Sequence, residues 1–215
     1  MKMLFPAAMA ALASVTGLLT GAAFVGTPLH AQSAGGSDLK VQVFDQRGAP
    51  VRDAVVEIHP AGGTSGPIRF PWRMAMAQKD QQFIPGTLIV AKGSTVAFPN
   101  LDRVRHSVYS FSKPARFEID LYGRDQTRTQ GFPIAGSVAL GCNIHDAMRG
   151  YIRVTETPYA AKTDGNGIIR LKNTPVGEAR LTVWHPQLRN AGNEFSGPVR
   201  ISAGGDAKSV RIKLR

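Results

Sequence analysis

The residues with the clearest chemical potential lie in one short segment, 141–151. There Cys142, His145 and Met148 follow one another at the spacing Cys-x2-His-x2-Met. This spacing gives a thiolate, an imidazole and a thioether within one tight loop, so one metal ion could contact all three. Soft sulfur ligands favour Cu(I), and imidazole serves both copper oxidation states. The loop therefore predicts a copper site, and it needs a second histidine from elsewhere.

His106 is the candidate for that second histidine. It stands at the start of a predicted strand, and both this segment and the segment 141–151 contain hydrophobic residues. Two segments that are distant along the chain become neighbours in a Greek-key sandwich. A His2Cys set with a weak axial Met is the arrangement of copper sites that transfer electrons. The predicted metal ligands are therefore His106, Cys142, His145 and Met148.

The other candidate residues favour structural roles. His59 and His185 each precede a proline at a predicted strand end, which is typical of a surface or half-buried histidine. Met74 and Met76 lie two apart in a strand-like segment, so we expect them to share one face and to pack in the core. Asp146 lies between two ligands, but no nucleophile or oxyanion donor is near it in the sequence, so we assign no catalysis to it.

The N-terminus predicts export. Lys2 precedes a nearly uncharged run rich in Ala, Leu and Gly, and small residues follow near position 31. This pattern is typical of a secretory signal peptide, here residues 1–31 with cleavage after Ala31. No later stretch approaches the length of a membrane span. We expect a periplasmic or otherwise exported protein with no transmembrane segment after signal removal. Cys142 is the only cysteine, so no intramolecular disulfide can form.

The positive charge balance is compatible with nucleic acid, a membrane surface or an acidic protein partner, although ordinary solvated surface charge is the simpler interpretation. The formal net charge is +11 for the whole chain, and removing the signal peptide takes away only Lys2. The basic residues are scattered and do not form the clustered stripe that a nucleic-acid backbone requires, so we expect no nucleic-acid binding. Positive charge would assist the approach of an acidic protein.

The rest of the chain reads as short strands separated by turns, which predicts an all-β fold. Two strands at the beginning and four at the end are each too few for a stable unit, yet together they match one sandwich domain. We therefore predict an outer β-sandwich from residues 38–68 plus 157–215. A second domain, residues 69–156, would be inserted in it or lie next to it; three domains in sequence are the alternative. Predicted strands cover residues 39–44, 54–58, 88–90, 95–98, 107–111, 137–140, 150–154, 168–171, 179–184, 199–201 and 209–214.

The ligand segments and the strands before them resemble the cupredoxins, and closely the amicyanin-type and methylamine-utilisation subgroup with its short ligand loop. The resemblance implies a Greek-key β-sandwich over residues 70–155 that binds one copper ion cycling between Cu(II) and Cu(I). It implies that His106, Cys142 and His145 are equatorial ligands, that Met148 is the axial ligand, and that the ring edge of His145 is the electron port. Many cupredoxins carry Asn after the first histidine to brace the ligand loop, whereas this chain has Ser107.

The outer segments resemble the carboxypeptidase regulatory-like domain, a prealbumin-like sandwich related to carbohydrate-binding-like folds. The resemblance rests on the alternation of short strands and turns in residues 41–58 and 163–183. It implies that carbohydrate is a candidate ligand of the outer sandwich, with Trp184 or Trp72 as the exposed aromatic residue.

Four functions remain open at this point. The first is a one-electron carrier between exported redox proteins, in which case the protein is not an enzyme. The second is a copper-binding or delivery protein without a redox role. The third is an adhesion or sugar-binding module, and the fourth is a copper enzyme of the nitrite-reductase type. Such enzymes need further histidines for a second metal, and only His30, His59 and His185 remain, the first within the signal peptide.

Overall fold

The computed structural model describes residues 36–215. The predicted signal peptide and its cleavage site lie outside these residues. No helix in residues 36–215 is long and apolar enough to cross a membrane. The elements are β1 (Gly36–Phe44), β2 (Val55–Pro60), β3 (Ala77–Lys79), β4 (Gln82–Ile84), β5 (Thr87–Ala91), β6 (Ser94–Pro99), β7 (His106–Ser112), β8 (Ala115–Tyr122), β9 (Thr127–Phe132), β10 (Gly136–Gly141), β11 (Arg149–Thr155), β12 (Ala160–Lys162), β13 (Ile168–Pro175), β14 (Gly177–Trp184), a 3-10 turn (Ala191–Asn193), β15 (Glu194–Ile201) and β16 (Asp206–Arg211). The predicted all-β fold class is confirmed.

Strands from the two ends of the described chain share two sheets. One sheet has the order β13-β1-β16 and the other β12-β2-β14-β15. In β1, Leu39, Val41 and Val43 point to one side and are buried, as the two-residue period of a strand requires. They join residues of β2, β13, β14 and β16 in one apolar core. The first and last segments therefore pair directly, whereas the domain boundaries and the regulatory-like resemblance stay predictions.

The middle of the chain builds a second apolar core. A five-stranded sheet has the order β5-β11-β10-β7-β8, and β6 pairs with β9. Short bridges join the segment around β3 to β6, at Ala75 with Ala97 and at Gln78 with Asn100. Phe98 and Phe132, with strand residues from both layers, fill the space between them. This sandwich holds all four predicted ligands.

A third buried cluster joins the two cores. Trp184 of β14 lies against Tyr151 of β11, with ring centroids 5.5 Å apart. Beside them, Arg153 of β11 donates to the Glu57 carboxylate of β2 at 3.1 and 2.6 Å. Arg153 also contacts Glu194 at 2.7 Å. The two cores are thus connected by an aromatic contact and a buried ion-pair network.

The structure corrects three sequence-based expectations. Strands β8 and β9 were not predicted, because charged side chains alternate along β8 and Arg, Gln and Gly interrupt β9. Met74 and Met76 lie in an irregular segment before β3 and not in a strand, although both pack against the middle core. Trp184 is 2% exposed, so the expectation of an exposed Trp184 is wrong. Trp72 donates its indole N–H to the Ile89 carbonyl.

Candidate metal centre

His106 opens β7 at the end of the sandwich where the ligand loop lies. Its backbone pairs with Tyr122 of β8, and the register shifts between His106 and Val108, which marks an irregularity at the ligand. The His106 side chain is fully buried. Its Nδ1 lies 3.7 Å from the Cys142 Sγ, although the two residues are 36 positions apart. Strand pairing therefore brings the distant histidine to the cysteine.

The loop from Cys142 to Met148 connects β10 to β11. Cys142 is 3% exposed, and its Sγ lies 4.0 Å from the His145 Nδ1. The His106 and His145 rings have centroids 4.9 Å apart. Met148 is buried in the same core cluster as Cys142, and its backbone N–H donates to the His145 carbonyl at 2.8 Å. This last bond closes the tight turn that the spacing of the three residues implied.

The spacing of the donor atoms fits one metal ion. The ligand atoms of His106, Cys142 and His145 all lie within 4.8 Å of one another. Metal–nitrogen and metal–sulfur bonds of about 2.1 and 2.3 Å, arranged in a trigonal plane, place N and S about 3.8 Å apart. The observed N–S distances are 3.7 and 4.0 Å. A thiolate, two imidazoles and a nearby thioether form a donor set that suits copper.

Asp102 fixes the orientation of His106. Its carboxylate lies 2.7 Å from the His106 Nε2, on the side of the ring opposite the cluster. Since an ionised carboxylate only accepts, Nε2 carries a hydrogen and donates it to Asp102, and Nδ1 faces the Cys142 Sγ. The backbone N–H groups of Asp80 and Gln81 donate to the same carboxylate at 2.7 and 2.9 Å.

These contacts govern the charge of Asp102. Burial alone would raise the pKa of Asp102, but the bonds from the Gln81 N–H, from His106 and from the Asp80 N–H outweigh it, so the pKa is lowered. Asp102 therefore stays ionised beside His106. A carboxylate that accepts from a ligating histidine is a recurrent feature of metal sites, and it raises the basicity of the imidazole.

Asn100 holds the loop that carries Asp102. It is fully buried, and its side-chain amide donates to the carbonyls of Val104 and Tyr122 at 2.9 Å each. Its Oδ1 accepts the Asp102 backbone N–H at 2.9 Å. The loop before β7, which carries Asp102, is thus held at both its start and its end.

Ser107 braces the ligand loop where the cupredoxin resemblance leads one to expect Asn. Its Oγ accepts the backbone N–H of Asn143 at 2.9 Å. The same oxygen lies 3.7 Å from the Cys142 Sγ. Asn143 is held further by a side-chain bond to Glu118 at 3.0 Å. The loop is therefore attached to β7 and β8 despite the shorter side chain.

The remaining candidates do not join the cluster. His59 and His185 are half-buried, as predicted, and Asp146 is exposed in the ligand loop. Sequence reasoning missed Asp102. A carboxylate four residues before a ligand histidine was a usable signal, since Asp102 and His106 are joined by a short loop, but its contacts with Asp80 and Gln81 depend on tertiary structure.

No protein-family model matches the chain. No curated protein matches it either. The structural neighbours are amicyanin and other cupredoxins. A reduced tryptophan-to-tyrosine mutant of amicyanin is 19% identical with a TM-score of 0.37, covering 48% of this chain and 99% of that chain. The Cu(I) form of a methionine-to-alanine mutant of amicyanin gives the same values. A purple cupredoxin from Nitrosopumilus maritimus is 19% identical with a TM-score of 0.34, covering 38% of this chain and 96% of that chain.

Proposed function

We propose that this chain is an exported mononuclear type 1 copper protein that carries single electrons between redox partners. The observation that carries the proposal is the convergence of the His106 Nδ1, the Cys142 Sγ and the His145 Nδ1 within 4.8 Å. Two residues of this cluster are buried and the third is half-buried. Met148, which is 1% exposed, supplies the thioether of the proposed ligand set.

Copper bound by these residues supplies a one-electron Cu(II)/Cu(I) couple. The protein's part is to hold the donors still. Asp102 orients His106, Ser107 ties Asn143 to β7, and the Met148 N–H bond closes the turn. Ligands fixed in this way need little rearrangement between oxidation states. With four protein ligands and no open position of the kind that catalytic metal sites keep, we assign electron transfer and not enzymatic turnover.

The surface around the cluster supports a partner that is acidic and partly apolar. Ile144, within the ligand loop, is 50% exposed, and Leu101 and Val104, in the loop before His106, are 49% and 44% exposed. Arg103 and Arg149 are exposed next to these two loops. We propose that an exported redox protein docks here, over the half-buried His145, and that arginines at the rim steer its acidic groups.

The subgroup and location belong to the same proposal. The amicyanin-type ligand loop, residues 142–148, supports placement in that subgroup but specifies no partner. Export rests on the signal-peptide pattern of residues 1–31. A periplasmic location is consistent with a single cysteine if its thiol binds a metal, because a free thiol would be open to oxidation in that compartment.

The test is a titration of the purified protein with Cu(II), followed by visible and EPR spectroscopy. We expect an intense thiolate-to-copper charge-transfer band and narrow copper hyperfine splitting. Cys142→Ser should abolish both, and His145→Ala should disrupt them. His185→Ala is the matched control, since His185 is also half-buried but lies outside the cluster.

Two outcomes would redirect the assignment. A colourless protein that still binds Cu(I) through its histidines and methionine, with affinity unchanged in Cys142→Ser, would support copper delivery in place of electron transfer. A protein that binds no copper would refute both proposals. Carbohydrate binding would then be tested on a glycan array with Trp72→Ala.

A further inference from the structure

Ser107 lies where two parts of the proposed copper site meet. It follows His106 on β7 and is 1% exposed. Its Oγ is 2.9 Å from the Asn143 backbone nitrogen and 3.7 Å from the Cys142 Sγ. One buried oxygen therefore contacts both the ligand cysteine and the backbone of the next residue.

The donors and acceptors of this oxygen can be assigned. The Asn143 N–H can only donate, so the Ser107 Oγ accepts from it through one lone pair. The hydroxyl hydrogen remains to be placed. Among residues 36–215, the Cys142 Sγ is the acceptor recorded within reach of this hydroxyl. A thiolate accepts such a bond, and a buried hydroxyl without an acceptor would be costly.

We infer that Ser107 is a positioning and tuning residue of the copper site, and that its hydroxyl donates a hydrogen bond to the Cys142 thiolate. This inference rests on the proposed function. A hydrogen bond to the thiolate draws negative charge from sulfur and weakens its donation to the metal. Hydrogen bonding around the cysteine sulfur is one of the features that set the potential of such sites. Ser107 should therefore favour Cu(I) and raise the reduction potential.

The main experiment compares copper-loaded Ser107→Ala with the unmodified protein by visible spectroscopy and voltammetry. We expect Ser107→Ala to move the charge-transfer band to lower energy and to lower the reduction potential. Ser107→Thr keeps a hydroxyl and should restore both values. Ser110→Ala is the matched control, because Ser110 is on the same strand and equally buried but contacts Ser112 and not a ligand.

A second measurement needs no variant and covers the case in which Ser107→Ala fails to fold. Resonance Raman spectra of the unmodified protein are recorded soon after transfer into D2O. Hydroxyl hydrogens exchange quickly, whereas amide hydrogens of a protected sheet exchange slowly. An early isotope shift of the copper–sulfur vibration is expected if a hydroxyl donates to the thiolate.

The two proposals fail in different ways. An unmodified protein without the charge-transfer band would overturn the copper proposal, and the role of Ser107 with it. A normal band in the unmodified protein, with the same energy and potential in Ser107→Ala, would overturn only the role of Ser107. Absence of the early isotope shift would also overturn it.

Discussion

Glu57 provides a sharp test of how the two cores are held together. It is 1% exposed on β2, within a run of buried apolar residues, and it bonds Arg153 at 3.1 and 2.6 Å. Burial alone would raise the pKa of Glu57, but the bonds from His59 and Arg153 outweigh it and lower the pKa from 4.5 to about 2. The ionised carboxylate is therefore strongly preferred in the folded protein.

This pKa difference converts into stability. The shift from 4.5 to about 2 corresponds to about 3 kcal/mol of folding free energy when Glu57 is fully ionised. Because the folded pKa lies below the unfolded one, the contribution is complete above about pH 4.5 and is lost as the pH falls toward 2. Glu57→Gln removes the charge and leaves Glu194 as the remaining carboxylate partner of Arg153. Breaking a buried pair in this way costs roughly 3–5 kcal/mol.

The assay is urea unfolding of both proteins at pH 7, 5, 4 and 3, followed by the fluorescence of Trp72 and the buried Trp184. The free-energy gap between Glu57→Gln and the unmodified protein should be about 3 kcal/mol or more at pH 7 and should shrink below pH 4.5. Glu178→Gln is the control, since Glu178 pairs with Arg200 on the surface and should cost less than about 1 kcal/mol. A gap that does not vary with pH, or that is no larger than the control, would refute the reasoning.

Three further predictions concern the ligand site. Asp102→Asn keeps the shape of the side chain but weakens the hold on the ligand histidine, so copper affinity should fall about 10–100-fold by competitive titration; unchanged affinity would contradict it. Met148→Leu removes one of the four proposed donors, and the more highly charged Cu(II) loses more from a missing donor than Cu(I) does, so voltammetry should show a higher potential while stability falls by less than about 1.5 kcal/mol; an unchanged potential would exclude Met148 as a ligand. Gly141→Ala would place a Cβ 2.5 Å from the Tyr109 ring, so thermal unfolding should show a loss of about 1–3 kcal/mol, whereas Gly131→Ala, with open space around it, should lose less.

The sequence was most informative where the chemistry is local. Cys142, His145 and Met148 lie in one loop, so their spacing alone predicted that they could share a metal. Strands with a clear two-residue alternation, such as β1, were equally readable because one face of each is buried. His106 required a topological argument as well, and the pairing of β7 with β10 supplies the physical link.

Features that depend on tertiary contacts could not be read in the same way. Glu57 and Arg153 are 96 positions apart, and no local pattern identifies them as partners. The sequence signal was Glu57 itself, because a carboxylate among the apolar residues of β2 needs a positively charged partner when it is buried. Trp184 was misjudged for a related reason, since its burial depends on Tyr151 of a strand in the middle of the chain.

The same division explains how the proposed site would respond to substitution. The donor atoms of His106, Cys142 and His145 come from residue types that the sequence identifies, and losing one of them would disrupt the proposed site. The groups that orient them are an aspartate fixed by the Asp80 and Gln81 amides and a serine fixed by the Asn143 amide. Changing these groups alters ligand basicity and sulfur charge without removing a donor. Substitutions at Asp102 and Ser107 should therefore change the copper affinity and the reduction potential, while the spacing of the donors in residues 142–148 preserves their ability to bind one metal ion.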